Sequence, residues 1–236
     1  MSLSSTGYCL SEVDFDNIDK NLGGKLLNLD KDRSLSGWRM VDSGEIKENK
    51  EVKKLLSKVR KELKTEKDME KREELLDLEH RYETERILFP VTSIEIMGDR
   101  DYKIDYVFIE DYNYHGPGSV TQLAELRGFL KIVLEKLRVS NKISHIRYIP
   151  IQSIKKIIGM SGHCDKSLIQ EGLKRFGIDV NEKETDKSDA IAINITGFYT
   201  LCHMRNLVQL PILEDKKENK MAKTYLDSLD KIRERI

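Results

Sequence analysis

The stretch that decides the fold is KLLNLDKDRSLSGWRMVD, residues 25–42. An apolar run (Leu26, Leu27, Leu29) ends in Asp30, a polar turn covers residues 31–36, and Gly37, Trp38, Met40 and Val41 begin a second apolar run. The pattern predicts a strand that delivers a carboxylate to a sheet edge, a turn, and an antiparallel return strand. Residues 26–47 as a whole read as two or three short strands, the last over residues 45–47.

Working outward, residues 1–24 are polar with a few apolar anchors (Tyr8, Leu10, Val13, Phe15, Ile18) and close on the breaker Asn21-Leu22-Gly23-Gly24, which suggests an N-terminal extension. Residues 25–213 form the expected main domain. From about residue 49 to 86 the chain is dense in Lys, Glu and Arg and holds no Gly or Pro. Val52, Leu55, Leu56, Val59 and Leu63, then Leu75, Leu76, Leu78 and Tyr82, fall at helical spacing on either side of a polar patch. This predicts a long helix or a helical hairpin with one apolar stripe and a solvated face. Pro90 is expected to end or kink it, and residues 91–97 fit helix or strand.

Residues 104–109 run into Glu110 and Asp111, and the near-continuous apolar run from Tyr106 suggests a strand buried on both faces. After the loop YNYHGPG, Ser119 with Gln122 fits a capping box for a helix through Leu137. Gly128 inside that helix implies close packing against a neighbour. A strand over residues 143–149 follows, then a short helix over 151–158, a loop, and a helix from Lys166 to Phe176. In residues 186–204 the signals compete. Ile191, Ile193 and Ile195 alternate like a strand, whereas Asp186 and two alanines suit a helix start. Residues 214–236 form a charged segment, helical from Met221. The order of elements predicts a three-layer α/β domain with a mixed sheet.

Length allows one good core plus an appendage. The net charge of zero removes the broad basic balance that favours nucleic acid, although a local patch is compatible with it. Three scattered cysteines (Cys9, Cys164, Cys202) have no metal spacing and suit a reduced compartment. No segment suits a signal peptide or a membrane span. A soluble, cytoplasmic protein is the expectation.

Among 41 acidic residues, four stand out by placement. Asp30 and Glu110 end apolar strands, and Asp186 and Asp189, three apart, share a face if they open a helix. Brought together, they would repel unless cations bind, and hard oxygen donors suit Mg²⁺, with Mn²⁺ as substitute. Two such ions roughly 4 Å apart can cleave a phosphodiester. Each acid also has an ordinary role. Asp30 could cap a turn, with Asp32 an equal candidate; Glu110 could sit in a salt bridge; Asp186 and Asp189 could answer the helix dipole. Composition alone favours those roles.

Motif order changes the balance. LLNLDKDRSLSGW resembles the first strand and turn of the RuvC-like Holliday-junction resolvases, an RNase H-like family in which a metal-binding Asp is followed by a Ser/Thr-Gly-aromatic element, here Ser36-Gly37-Trp38. DYVFIEDYNY is similar to the strand with the second acid, which maps to Glu110. Leu123 to Leu137, with Gly128, matches the next helix. PIQSIKKIIGMSGHCDKSLIQEGL resembles the Lys-rich stretch of the family, and DKSDAIAI its paired Asp at the head of the last core helix, which favours helix there.

The resemblance covers residues 25–47 and 103–200. It implies an RNase H-like fold with a long charged helical insertion, and metal ligation by Asp30, Glu110, Asp186 and Asp189. It also implies phosphate contacts from Lys155, Lys156 and Lys166, with Lys166 catalytic, a four-way DNA junction as substrate, and a homodimer. Cleavage by metal-activated water would leave a 5′-phosphate and a 3′-hydroxyl. Departures from the family pattern are Lys31-Asp32 after the first acid, the long insertion, and Asn113 where an aromatic is usual. Tyr112 and Tyr114 flank that position and could stack on an unpaired base. These differences suggest a divergent branch, phage-borne or organellar. Two alternatives stand beside this reading: a nuclease of the same fold acting on flaps, branched DNA or RNA–DNA hybrids, and a non-enzymatic domain whose helical arm binds a protein. His115 and His163 read as surface-loop residues, and nothing pairs Cys164 as a nucleophile.

Overall fold

The structure, a computed structural model, describes residues 5–18, 35–47, 49–98, 103–111, 120–159, 166–207 and 216–233. In chain order the elements are β1 (Ser5–Val13), a short 3₁₀ turn (Phe15–Asn17) and β2 (Trp38–Lys47), then helices α1 (Lys50–Thr65) and α2 (Met69–Gly98). Strand β3 (Ile104–Asp111), helix α3 (Val120–Val139) and strand β4 (Ile143–Pro150) follow. Helices α4 (Ile151–Gly159), α5 (Lys166–Lys174), α6 (Thr185–Met204) and α7 (Lys216–Arg233) complete the chain. The class is α/β as expected. Among the described residues the strands form two two-stranded sheets, β1–β2 and β3–β4.

The first sheet is antiparallel. The Asp14 amide donates to the Gly37 carbonyl at 2.6 Å, Arg39 pairs with Glu12, and the Tyr8 hydroxyl reaches Asp42 at 3.3 Å. The pairing therefore runs in opposite directions along the two strands. Gly37, with φ of +76°, turns the chain into β2. The second sheet is parallel. The Ile104 amide donates to the Lys142 carbonyl at 2.8 Å, so both strands start at the same edge, and α3 makes the crossover that parallel pairing requires.

These pairings revise the expected layout. Residues 5–13, read as part of an extension, are a strand. The described partner of β2 is β1, while the expected strand over residues 26–29, with Asp30, lies outside the described residues. Residues 38–47 form one strand, so no separate strand starts at residue 45. The reason is visible in the side chains: β1 alternates weakly because Ser11, between the core-packed Cys9 and Val13, makes a polar contact.

The chain divides into two compact units. The first comprises residues 1–6, 46–106 and 114–145. Its charged insertion is a helical hairpin. Asn49 caps α1 by accepting from the Glu51 amide at 3.0 Å, and Val52, Leu56 and Val59 are buried along one stripe. Arg60 crosses from α1 to Glu79 and Glu83 of α2 at 2.6 and 2.9 Å. Those bonds, Glu79's first, raise the Arg60 pKa. Glu66 accepts from the Lys67 and Asp68 amides in the connecting turn.

Helix α2 continues through Pro90 to Gly98, so the helix does not end there, and residues 91–97 are helix. Proline removes one backbone donor, but Val91 is buried and the Thr92 and Ser93 hydroxyls bond the carbonyls one turn back, so local packing outweighs the loss. Helix α3 buries Leu126, Leu130, Leu134 and Leu137 on one stripe. It ends in a left-handed Asn141, with the Lys142 amide bonded to the Leu137 carbonyl at 2.9 Å. The expected cap, Ser119, lies outside the described residues. A Cβ placed on Gly128 meets nothing within 4 Å, so this glycine serves no close packing among the described residues.

The second unit comprises residues 7–45, 107–113 and 146–236. Its core gathers Ile149 of β4, Ile154, Ile157 and Ile158 of α4, Ile169 and Leu173 of α5, Ile191, Ile195, Phe198, Tyr199 and Cys202 of α6, and Tyr225, Leu229 and Ile232 of α7. Helix α6 is buried almost all round from Ile191 to Cys202. A helix surrounded by apolar neighbours shows no amphipathic period, which is why its sequence also suited a strand. Its buried threonines, Thr196 and Thr200, satisfy their hydroxyls on the carbonyls of Ala192 and Thr196, both at 2.8 Å. His203 ties α6 to Asp230 of α7 at 2.9 Å. Among the described residues no helix is long and apolar enough to cross a membrane.

Candidate active site

Four elements of the second unit converge on one cavity of about 120 Å³, lined by Glu110, Ile151, Ile154, Lys155, Ile169, Asp189 and Ile193. Glu110 arrives at the end of β3, Asp189 sits in the first turns of α6, and Lys155 projects from α4. Helical period accounts for the selection. On α4, residues 151, 154 and 155 share a face, so Lys155 joins the cavity and Lys156 does not line it. On α6, residues 189 and 193 are one turn apart. The isoleucines form apolar walls, and the volume admits several waters or a hydrated cation. In such a lining, charges interact more strongly than in open water.

The head of α6 is held from several sides. Its N-cap residue, Glu184, makes no side-chain capping bond; the carboxylate instead meets Lys187 Nζ at 3.3 Å. Ser188 is buried and donates to the Glu184 carbonyl at 3.0 Å, while Gln170 of α5 reaches both the Ser188 hydroxyl and the Glu182 carbonyl at 3.3 Å. From β2, Glu45 Oε1 accepts from the Asp186 and Lys187 amides at 3.2 and 3.3 Å. From β1, the Gly7 backbone comes so near that a Cβ there would lie 1.8 Å from the Asp186 carbonyl oxygen. Two turns further along α6, Asn194 Oδ1 accepts from Ser11 Oγ at 2.7 Å and Trp38 Nε1 at 2.9 Å, and its Nδ2 donates to the Cys9 carbonyl at 3.1 Å. These contacts are the polar anchors that mask the alternation of β1.

Of the residues singled out from sequence, Glu110, Asp189 and Lys155 are brought together. Asp186 shares the helix head with Asp189 but does not line the cavity. Lys166 opens α5. Asp30, Tyr112, Asn113, Tyr114, His115, His163 and Cys164 lie outside the described residues. Among the described residues no cluster of three or more Asp, Glu, His or Cys side chains forms a metal cage. Glu110 and Asp189 both line the cavity and are hard oxygen donors, a donor type that fits a divalent cation of the Mg²⁺ class. Sequence reading missed Gly7 and Glu45. Gly7 had a signal, since Thr6-Gly7-Tyr8 repeats the Ser/Thr-Gly-aromatic pattern of Ser36-Gly37-Trp38. Glu45 had none, because its partners lie 141 positions away.

The two thiols described, Cys9 and Cys202, are both pushed up to about 12 by burial, with Asp42 adding to the effect at Cys9. Neither has the character of a nucleophile at neutral pH.

Comparison with known proteins gives a consistent family likeness. No family model matches the chain. Crossover junction endodeoxyribonuclease RuvC of Campylobacter hominis is 37% identical over 102 residues, covering 42% of this chain and 61% of that protein. The RuvC of a Synechococcus strain is 25% identical over 101 residues, with the same coverages, and that of Gloeobacter violaceus 28% over 99 residues, covering 54% of that protein. The matched stretch thus spans roughly three-fifths of these relatives' length. Among solved structures, Thermus thermophilus RuvC aligns with 86% of this chain and 92% of its own, at a TM-score of 0.45 and 10% identity. T. thermophilus RuvC in complex with Holliday junction substrate gives 0.42 at 10% identity, over 89% of this chain and 99% of that one. The likeness to RuvC expected from the motifs is supported: over about 42% of its length the chain is similar to RuvC proteins, and divergent from them.

Proposed function

We propose that this RuvC-like chain is a divalent-metal-dependent, structure-selective DNA endonuclease of RNase H-like fold, with a four-way junction as its substrate. The observation that carries the reading is the convergence of Glu110, Asp189 and Lys155 on one cavity. These three residues were selected by motif, and they come from three separate elements. A domain whose acids were incidental gives no reason for that convergence.

In this reading Glu110 and Asp189 hold the cation, with Asp186 and Asp30 completing the ligand set. A bound Mg²⁺ supplies a hydroxide-like nucleophile and stabilises the leaving oxygen. Lys155 attracts the scissile phosphate and offsets its charge, and the apolar walls exclude bulk water and strengthen that attraction. Lys156 and Lys166 serve the flanking backbone, and Tyr112 and Tyr114 stack on bases opened at the crossover. Symmetric cleavage of a junction needs two sites, hence a homodimer. Helix α3 suits that interface: Gly128 faces open space among the described residues, and Phe129, Ile132 and Val139 of the same helix are exposed.

The test is cleavage of a labelled synthetic four-way junction against linear duplex, flap and RNA–DNA hybrid, in Mg²⁺ and in EDTA. Wild type runs beside Asp189→Asn, Glu110→Gln and Asp30→Asn. Paired nicks across the junction, lost in EDTA and in the variants, support the proposal. Cutting only of flap or hybrid moves the substrate class and keeps the site. No metal-dependent cutting of any substrate refutes the nuclease reading and leaves the interaction module.

A further inference from the structure

We infer that Glu45 is a positioning residue that fixes the head of α6 and thereby aims Asp186 and Asp189, an inference that rests on the metal site just proposed. The first amides of a helix have no partner within it and need an acceptor from elsewhere. The residue placed to provide one, Glu184, spends its carboxylate on Lys187. Glu45 supplies the missing cap from strand β2, one oxygen accepting from the Asp186 and Lys187 amides. One of those amides belongs to a proposed ligand, and the second proposed ligand follows three residues later.

The geometry around this bond argues for alignment and against a chance surface contact. The same hairpin grips α6 at two levels. Gly7 brings the β1 backbone against the Asp186 carbonyl, and Asn194 is bonded to Cys9, Ser11 and Trp38 two turns on. Asp189 lies between those levels. A helix held at both ends of a segment cannot rotate about its axis, so the direction of the Asp189 side chain into the cavity is set by β1 and β2. Glu45 is the member of this set whose loss frees the end nearest the carboxylates. Its charge also complements the positive end of the helix dipole, so a purely electrostatic role has to be separated from a geometric one.

Two conservative variants separate them. Glu45→Gln keeps the acceptor oxygen and drops the charge, while Glu45→Asp keeps the charge and withdraws the oxygen by one methylene. Two readouts are taken on the full chain: amide hydrogen exchange at Asp186 and Lys187, and binding of Mn²⁺ alone followed by its electron spin resonance signal. Positioning predicts that Glu45→Asp speeds exchange at the two amides about fivefold and weakens Mn²⁺ binding about tenfold, with Glu45→Gln close to wild type in both. Unchanged exchange in Glu45→Asp, or Glu45→Gln weaker than Glu45→Asp, overturns the inference while leaving the metal site intact. A wild-type protein that binds no Mn²⁺, with exchange still faster in Glu45→Asp, overturns the metal reading and removes this inference's functional half with it.

Discussion

Replacing Gly7 with alanine tests the link between fold and site in a single methyl group. The added Cβ would stand 1.8 Å from the Asp186 oxygen, 2.3 Å from its carbonyl carbon and 2.9 Å from the Lys187 nitrogen. All three are backbone atoms, so no side-chain rotation relieves the clash, and β1 or the head of α6 must give way by ~1 Å or more. Overpacking of this kind costs about 1–3 kcal/mol. The gain from a less flexible unfolded chain applies only where the added methyl fits without strain, which this clash rules out, so the net is a loss of about 1–3 kcal/mol. Catalysis suffers more, because displacement by ~1 Å of a group that orients the reacting centre costs on the order of 100-fold in rate. Gly44→Ala is the matched control. Its Cβ would meet the Tyr8 ring at 3.0 Å, a side chain that can shift, so the expected cost stays below ~1 kcal/mol. Urea unfolding gives the stability terms, and junction cleavage at saturating Mg²⁺ gives the rate. A Gly7→Ala protein within ~0.5 kcal/mol of wild type and within about twofold in rate would refute the argument that β1 sets the position of the carboxylates.

Three further outcomes are expected. Asp189→Asn and Glu110→Gln each lower the affinity for Mn²⁺ at least ~10-fold, read by titration calorimetry. Gly128→Ala stabilises the isolated subunit by about 0.5–1 kcal/mol, since it adds helix propensity with no atom of the described residues within 4 Å. If α3 forms the dimer contact, the same change weakens self-association in sedimentation equilibrium. Cys9 and Cys202 resist iodoacetamide in the native protein at pH 8 and react once it is unfolded. Because both are held up to about 12, against 9.0 when free, their contribution to stability is complete below pH 9. It is lost as pH climbs toward 12, where the unfolded thiols ionise first. Urea unfolding at pH 8 and pH 10.5 reads the difference.

Local chemistry that repeats within a few residues was legible in this sequence, and contacts between distant segments were not. The hairpin of α1 and α2, the leucine stripe of α3 and the crossover from β3 to β4 all follow from periodicity and caps within about twenty residues. The candidate acids were chosen through motif order: Glu110 lies at the end of an apolar strand with Asp111 beside it, and Asp189 lies in the first turns of a helix whose local signals competed with a strand. Sequence alone left Lys155 and Lys156 as joint candidates, and the face shared with Ile151 and Ile154 selects Lys155 for the cavity. Strand β1 escaped because its side chain opposite Asn194 is the polar Ser11, which interrupts the apolar positions Cys9 and Val13 that pack against the core. The course of α2 through Pro90 escaped because a local rule about proline met a buried Val91 that the rule does not weigh.

The same contrast bears on how divergence can proceed in such a chain. Glu110, Asp189 and Lys155 meet in a cavity whose other lining is isoleucine, so the chemistry depends on where three backbones stop and start more than on any specific neighbour. What fixes those backbones is a dispersed set of polar contacts: Glu45 on the head of α6, Asn194 on β1 and β2, and Gln170 on the preceding loop. Each contributes a modest amount on its own, on the order of 1 kcal/mol for an ordinary intramolecular hydrogen bond, and each can be exchanged for another donor or acceptor of the same kind at the same place. A relative could therefore move its cap from β2 to the N-cap residue of α6 and keep the carboxylates aimed. An Asp or Ser at position 184 should accordingly rescue Glu45→Ala, with Mn²⁺ affinity and exchange at Asp186 returning together. Rescue of one without the other would show that the cap and the aim of the ligands are separate properties.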